Sequence, residues 1–182
     1  MTPPADESPR AAPKLEIERK YLLRAMPALL RFDETWIIEQ GYLKPLADAG
    51  PSDDLPEGRL RRITHEDGRI EHIWTVKRGS GLVREETETL IDAERFARAW
   101  PRTAKARLAK TRHRLREGDL IWEIDFFHDV DLVLAEVELP APDHPVIIPG
   151  WLEPVLAREV TNDPDYGNFS LALRICADRA RG

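Results

Sequence analysis

Leu15-Glu16-Ile17-Glu18-Arg19-Lys20-Tyr21-Leu22-Leu23 opens on a strict alternation: Glu16, Glu18 and Lys20 stand at every second position, with Leu15 and Ile17 between or before them. Successive side chains of a β-strand point to opposite faces. The stretch therefore predicts a strand with two carboxylates and an ammonium in one row and an apolar pair behind. Carboxylates two positions apart lie roughly 6 to 7 Å from each other along a strand and can converge on one hard cation, while an ammonium beside them suits a phosphate oxygen. The row predicts a site for a metal ion and a polyphosphate.

The same device recurs down the chain. Strand signals cover residues 14–23, 36–44, 58–64, 70–77, 82–91, 108–116, 120–127 and 132–139, with turn signals at Glu66-Asp67-Gly68, Gly79-Ser80-Gly81 and Glu117-Gly118-Asp119. Short turns between alternating runs suit antiparallel hairpins. Helices are fewer: residues 93–100, capped by Asp92 and stopped by Pro101, then 151–157 and 168–179. Arg59/Arg61, Lys110/Arg112, Glu123/Asp125 and Glu136/Glu138 repeat the like-charge doublet of Glu16/Glu18. A half-solvated antiparallel sheet also alternates apolar with polar residues. Like charges on one strand gain nothing from each other, however, so a plain surface favours interspersed signs. A ligand of mixed demand accounts better for separate acidic and basic rows. Closing the sheet with its charged face inward would concentrate both signs in a polar tunnel and leave the apolar face for helices to cover.

Composition narrows the class. The 182 residues, with 42% hydrophobic and 33% charged side chains, fit one globular domain of about residues 14–180 behind a flexible Pro-rich tail, residues 1–13. No apolar run approaches a membrane span, and the start lacks the apolar core of a secretory signal, so a cytoplasmic location is expected. A net charge of -6 argues against a general nucleic-acid binder. Cys176 is the only cysteine, which excludes an internal disulfide and a multi-cysteine zinc site. The polar stretch from Pro45 to Gly58 reads as a surface loop.

The ordered set of motifs resembles the CYTH domains, also called triphosphate tunnel metalloenzymes. Glu16-Ile17-Glu18-Arg19-Lys20 is similar to their ExExK signature. The likeness continues in order through Gln40-Gly41-Tyr42-Leu43, Arg59-Leu60-Arg61, Thr75-Val76-Lys77, Arg84-Glu85-Glu86-Thr87-Glu88, Lys110-Thr111-Arg112, Glu123-Ile124-Asp125, Glu136-Val137-Glu138, Glu159-Val160-Thr161 and Tyr166-Gly167-Asn168. A lone ExExK is weak, but nine further elements in family order are specific.

The resemblance implies an α+β fold: an eight-stranded antiparallel β tunnel, a closed barrel with a charged interior and a few helices outside. It also implies a small-molecule triphosphate substrate handled with Mg²⁺ or Mn²⁺, most simply inorganic triphosphate cleaved to pyrophosphate and phosphate. Adenylate cyclase, thiamine triphosphatase and a non-catalytic polyphosphate or nucleotide module are the alternatives. Carried onto this chain, Lys20, Arg59, Arg61, Lys77, Arg84, Lys110 and Arg112 would hold phosphate oxygens. Glu16, Glu18, Glu136 and Glu138 would hold a divalent cation, and Glu123 and Asp125 a second metal or the attacking water, with Lys20 also in the catalytic set. Glu86 and Glu88 have a competing role as salt-bridge partners of those cations. Exposed outer strands leave a homodimer open.

Other features carry less. His65, His72, His113, His128 and His144 have no metal-ligand spacing. Trp74, Trp122 and Phe126 read as outward anchors beneath helices, and Cys176 as packed and inert. Asp165 stands where many relatives carry a cation, with Arg158 able to compensate, and the acidic stretch 48–57 is placed to crowd one tunnel mouth.

Overall fold

The computed structural model describes residues 14–28, 31–43, 55–78 and 83–181, with residues 14, 15, 83 and 84 described by backbone alone. The tail 1–13, most of the loop after Leu43 and the Gly79-Ser80-Gly81 turn lie outside the described residues. The sheet strands are β1 (Lys14–Leu23), β2 (Glu34–Leu43), β3 (Gly58–His65), β4 (Ile70–Arg78), β5 (Val83–Leu90), β6 (Arg107–Glu117), β7 (Leu120–Phe127), β8 (Val133–Glu138) and β9 (Leu156–Glu159). They form one antiparallel sheet in the order β5-β4-β3-β2-β6-β7-β8-β1-β9. Among the described residues, nine strands replace the eight expected. Residues 151–157, read as a helix, are instead a 3₁₀ turn over Glu153–Val155 that leads into β9.

β1 divides its length between partners. Its first half pairs β5, with Glu16 opposite Arg84, and its second half pairs β8, with Glu18 opposite Glu138 and Lys20 opposite Glu136. The strand that carries the acidic doublet thus meets both the first strand of the sheet order and an interior strand near its other end. Two hairpin turns read from the sequence are present, and each places glycine where L side chains are strained: Gly68 at φ 83° and Gly118 at φ 60°.

Helix α1 (Ala93–Ala99) starts where expected, the Asp92 carboxylate accepting from the Arg95 amide at 2.7 Å. α2 (Asn168–Arg179) closes the chain. Three apolar clusters hold the sheet to its surroundings. One joins Leu43, Leu55, Leu60 and Trp74 to Phe96 of α1. Another joins Leu108, Phe127 and Leu134 to Leu171 and Ile175 of α2. A third sets Tyr21, Trp122, Ile124 and Val137 against Leu152, with Trp151 and Val146 beside it. Trp122 is therefore an anchor beneath the 146–156 segment and not beneath a helix. Phe126, expected to be covered, is exposed. Leu55 corrects the surface reading of its loop, since it is buried and the Arg102 guanidinium holds the Leu55 and Pro56 carbonyls at 2.9 and 3.2 Å.

Gly41 shows why a strand interior here tolerates no side chain. A Cβ would meet the Oγ1 and Cβ of buried Thr103 at 2.4 and 2.5 Å. Gly41→Ala is expected to cost about 1 to 3 kcal/mol, as overpacking does, read as a lower denaturant midpoint at unchanged slope.

Candidate active site

The charged rows share one face of the sheet and line a cavity of about 500 Å³. Its wall includes Glu16 and Glu18 from β1, Arg59 and Arg61 from β3, Lys77 from β4, Glu86 and Glu88 from β5, Lys110 and Arg112 from β6, Glu123 from β7, and Glu136 and Glu138 from β8. Strand alternation alone brings them together, because each doublet spaced by two puts both members inward. With Glu71, the described residues of the wall hold eight carboxylates against five cations. A polyanion entering it meets an excess of negative charge.

Cations and acids are interlocked. Lys77 Nζ donates to both oxygens of Glu16 at 2.7 and 2.6 Å and lies 3.3 Å from Glu86. Arg59 donates to Glu86 at 2.9 Å, and Arg61 to Glu88. Lys20 Nζ stands 2.8 Å from Glu136 and 3.7 Å from Glu18. Glu86 and Glu88 thus hold arginines extended into the cavity they also line. The Nε atoms of Arg59 and Arg61 are buried without a hydrogen-bond partner.

Arg112 is the hub. Its Nε and Nη2 grip Asp125 at 2.7 Å each, Nη2 also reaches Glu136 at 2.6 Å, and Nη1 bonds Glu123. Asp125 is 0% exposed, sits behind the cavity wall and also accepts from Lys110. Its two oxygens are taken by cations, so it holds Arg112 and Lys110 in place. Glu123, by contrast, lines the cavity, bonds Arg112 and is braced by Arg114 at 3.1 Å.

Electrostatics follow from burial and crowding. Burial, with the Arg112 charge, pulls the Lys110 ammonium down to about 8 against the pull of Asp125 and Glu136. Burial and neighbouring Arg59 likewise lower Arg61 to about 10. Burial opposes charge on Lys20 too, but Glu136 and Glu18 outweigh it and raise its pKa. Glu136, pushed upward by burial, is held well below the usual carboxylate range by Lys20, Lys110 and Arg112. Desolvation is thus compensated unequally, and Lys110 and Arg61 are the cations left most in need of an anion.

Of the expected residues, Lys20 and Asp125 sit just behind the cavity surface, and the Arg84 side chain lies outside the described residues. Sequence reasoning missed Gln40, Trp36 and Glu71, which line the cavity, and Arg114, whose guanidinium lies 4.3 Å over the Trp36 ring. Arg114 was findable, since it continues the Lys110/Arg112 spacing by two. Asp165 is exposed and outside the cavity wall, while Arg158 bonds Asp163 at 3.1 Å.

Among the described residues, no three His, Cys, Asp or Glu side chains stand together as a ready-made cation cage. The donor set nonetheless fits a hard ion: Glu16, Glu18, Glu136 and Glu138 offer oxygen alone from one wall, as Mg²⁺ and Mn²⁺ require.

A cavity on a β-sheet face, with arginine and lysine rows facing glutamate rows, is the kind of site that takes a phosphate-bearing ligand. No family model matches the chain. It is 38% identical over 168 residues to the inorganic triphosphatase of Nitrosomonas europaea, covering 88% of this chain and 98% of that one. Two crystal structures agree: the hypothetical protein NE1496, at TM-score 0.57 and 35% identity over 87% of this chain and 97% of that one, and the inorganic triphosphatase NE1496, at 0.56 and 32% over 87% and 94%. The chain belongs to the family of the Nitrosomonas europaea inorganic triphosphatase.

Proposed function

We propose that this chain is a divalent-metal-dependent hydrolase of inorganic triphosphate, of the triphosphate tunnel metalloenzyme type, and that residues 14–180 form its single domain. The observation that carries the reading is the composition of the cavity wall: among the described residues, five cations that suit phosphate oxygens are outnumbered by eight carboxylates. Cations alone would suffice for binding, and a surplus of buried acid is costly unless something positive accompanies the ligand. The pairing of β1 with both β5 and β8 supports a wall that closes around the site as a tunnel.

In this reading Arg59, Arg61, Lys77, Arg84, Lys110 and Arg112 grip the phosphate oxygens. The arginines do so by their planar forks and the lysines as point charges. Lys110 and Arg61, whose charge burial disfavours, gain most from the anion. Asp125 positions Lys110 and Arg112. Glu16, Glu18, Glu136 and Glu138 would hold Mg²⁺ or Mn²⁺, which would neutralise charge on the phosphates and acidify a bound water. Lys77 and Lys20, which pair with Glu16 and Glu136, stand beside those carboxylates and would turn to phosphate oxygens if the carboxylates held the cation. Glu123 is the cavity-facing carboxylate best placed to orient the attacking water. Water cleaves one P–O–P bond, and pyrophosphate and orthophosphate leave.

The test is phosphate release from inorganic triphosphate, ATP and thiamine triphosphate with Mg²⁺, with Mn²⁺, and after chelation. Expected are turnover of inorganic triphosphate, its loss on chelation, and a drop of about a hundredfold or more in Glu16→Ala and Glu18→Ala. Cyclic AMP from ATP would establish the cyclase reading. Tight binding of triphosphate that stays intact would establish the binding module.

A further inference from the structure

Glu34, Arg114 and Glu123 are successive ladder partners across β2, β6 and β7, and Trp36, Arg112 and Asp125 form the next row. Ladder partners stand about 5 Å apart, so the Arg114 guanidinium reaches both acids of its own row and the ring of the next. It donates to Glu34 through Nη1 and to Glu123 Oε1 through Nε at 3.1 Å, and it lies 4.3 Å from the centre of the Trp36 ring. Tryptophan gives a cation its best aromatic face. The ring is itself held, since His65 meets it edge-on at 5.4 Å and it packs against Ile38, Ile63 and Ile73. Glu34, Trp36 and Glu123 thus fix Arg114 from three sides. Trp36 and Glu123 line the cavity, whereas Arg114 is not among the described residues of its wall.

Glu123 carries one guanidinium on each oxygen, Arg112 on Oε2 and Arg114 on Oε1. Charged donors on both oxygens fix the plane of a carboxylate. The two arginines differ in their other duties, because Arg112 also bonds Asp125 and Glu136 and, in the reading above, turns to phosphate oxygens when triphosphate is bound. Arg114 has no part in that grip. A partner for Glu123 therefore remains in place when Arg112 is drawn to the ligand.

We propose that Arg114, clamped on the face of Trp36, is a positioning residue that holds the Glu123 carboxylate at the angle from which it orients the attacking water. The inference rests on the triphosphatase reading and on the place of Glu123 in it. Arg114 acts on the rate through Glu123 alone.

Steady-state hydrolysis of inorganic triphosphate by the full chain with Mg²⁺ tests the proposal on a double-mutant cycle of Arg114→Ala and Glu123→Gln. Circular dichroism and thermal melts check the fold of each variant. Arg114→Ala is expected to lower kcat about tenfold or more with KM within about twofold of the parent, since a small misplacement of a reacting group costs rate. In the Glu123→Gln background the same truncation should cost less than about twofold. Trp36→Leu removes the ring face and leaves both charges, so it should lower kcat through the same cycle, and it takes the place of Arg114→Ala if that variant does not fold. A folded Arg114→Ala with the parent's kcat overturns the proposal. So does a loss confined to KM, or one of equal size with and without the Glu123 carboxylate. A parent chain that turns over no triphosphate overturns the triphosphatase reading itself, and the inference with it.

Discussion

Arg112→Ala is expected to lower kcat/KM for triphosphate by about a thousandfold or more, the scale on which a transition-state arginine acts in phosphoryl transfer. One guanidinium contacts Asp125, Glu123 and Glu136, so the truncation removes a phosphate donor and the brace of three acids together. Among the described residues the cavity wall then carries four cations in place of five, and the field opposing a polyanion rises. Arg112→Lys separates charge from shape. It keeps a cation beside Asp125 but cannot grip two oxygens in parallel, so most of the fold stability should return while most of the rate does not. Steady-state kinetics beside thermal melts check this. Full activity in the lysine variant would remove the fork from the account.

Asp125→Ala carries the largest expected stability loss. The carboxylate is fully buried among Lys110 and Arg112. Its removal leaves two buried cations with one counter-charge fewer. Breaking a buried pair in this way costs about 3 to 5 kcal/mol. For a chain of this length that is roughly 10 °C in Tm. Asp125→Asn keeps an acceptor for Arg112 and should lose less. The ranking also tests the role assigned to Asp125. A positioning residue loses stability and activity together, whereas a residue acting only on the reacting atoms would lose activity with an unchanged melt. Calorimetry and kinetics on the same preparations distinguish the two.

The charged rows were legible in the sequence because a period of two is a property of any strand, whatever it pairs with. Glu16, Glu18, Arg59, Arg61, Lys110, Arg112, Glu136 and Glu138 could all be assigned to one face on that ground. Depth was not legible. Glu123 and Asp125 share a row, yet one lines the cavity and the other is sealed behind Arg112, a difference set by register with β6 and not by spacing. β9 was missed because Leu156-Ala157-Arg158-Glu159 is four residues long and does not alternate. Its existence depends on Tyr21 and Leu22 pairing with Glu159 and Arg158 across the sheet. The 151–157 stretch, read as a helix, makes only a single 3₁₀ turn over Glu153–Val155, after which Leu156 turns extended and pairs with Leu23 in β9. Phe126 shares its alternation with Trp122 and Ile124, and only the end of the 146–156 cover leaves it exposed.

A crystal structure of the chain with Mn²⁺ and a non-hydrolysable triphosphate analogue tests the central claim most directly. The account predicts anomalous density for manganese against Glu16, Glu18, Glu136 and Glu138. It also predicts phosphate density held by Arg59, Arg61, Lys110 and Arg112 inside the cavity. Analogue and metal bound on the outer face, or a cavity left without either at saturating concentrations, would contradict it.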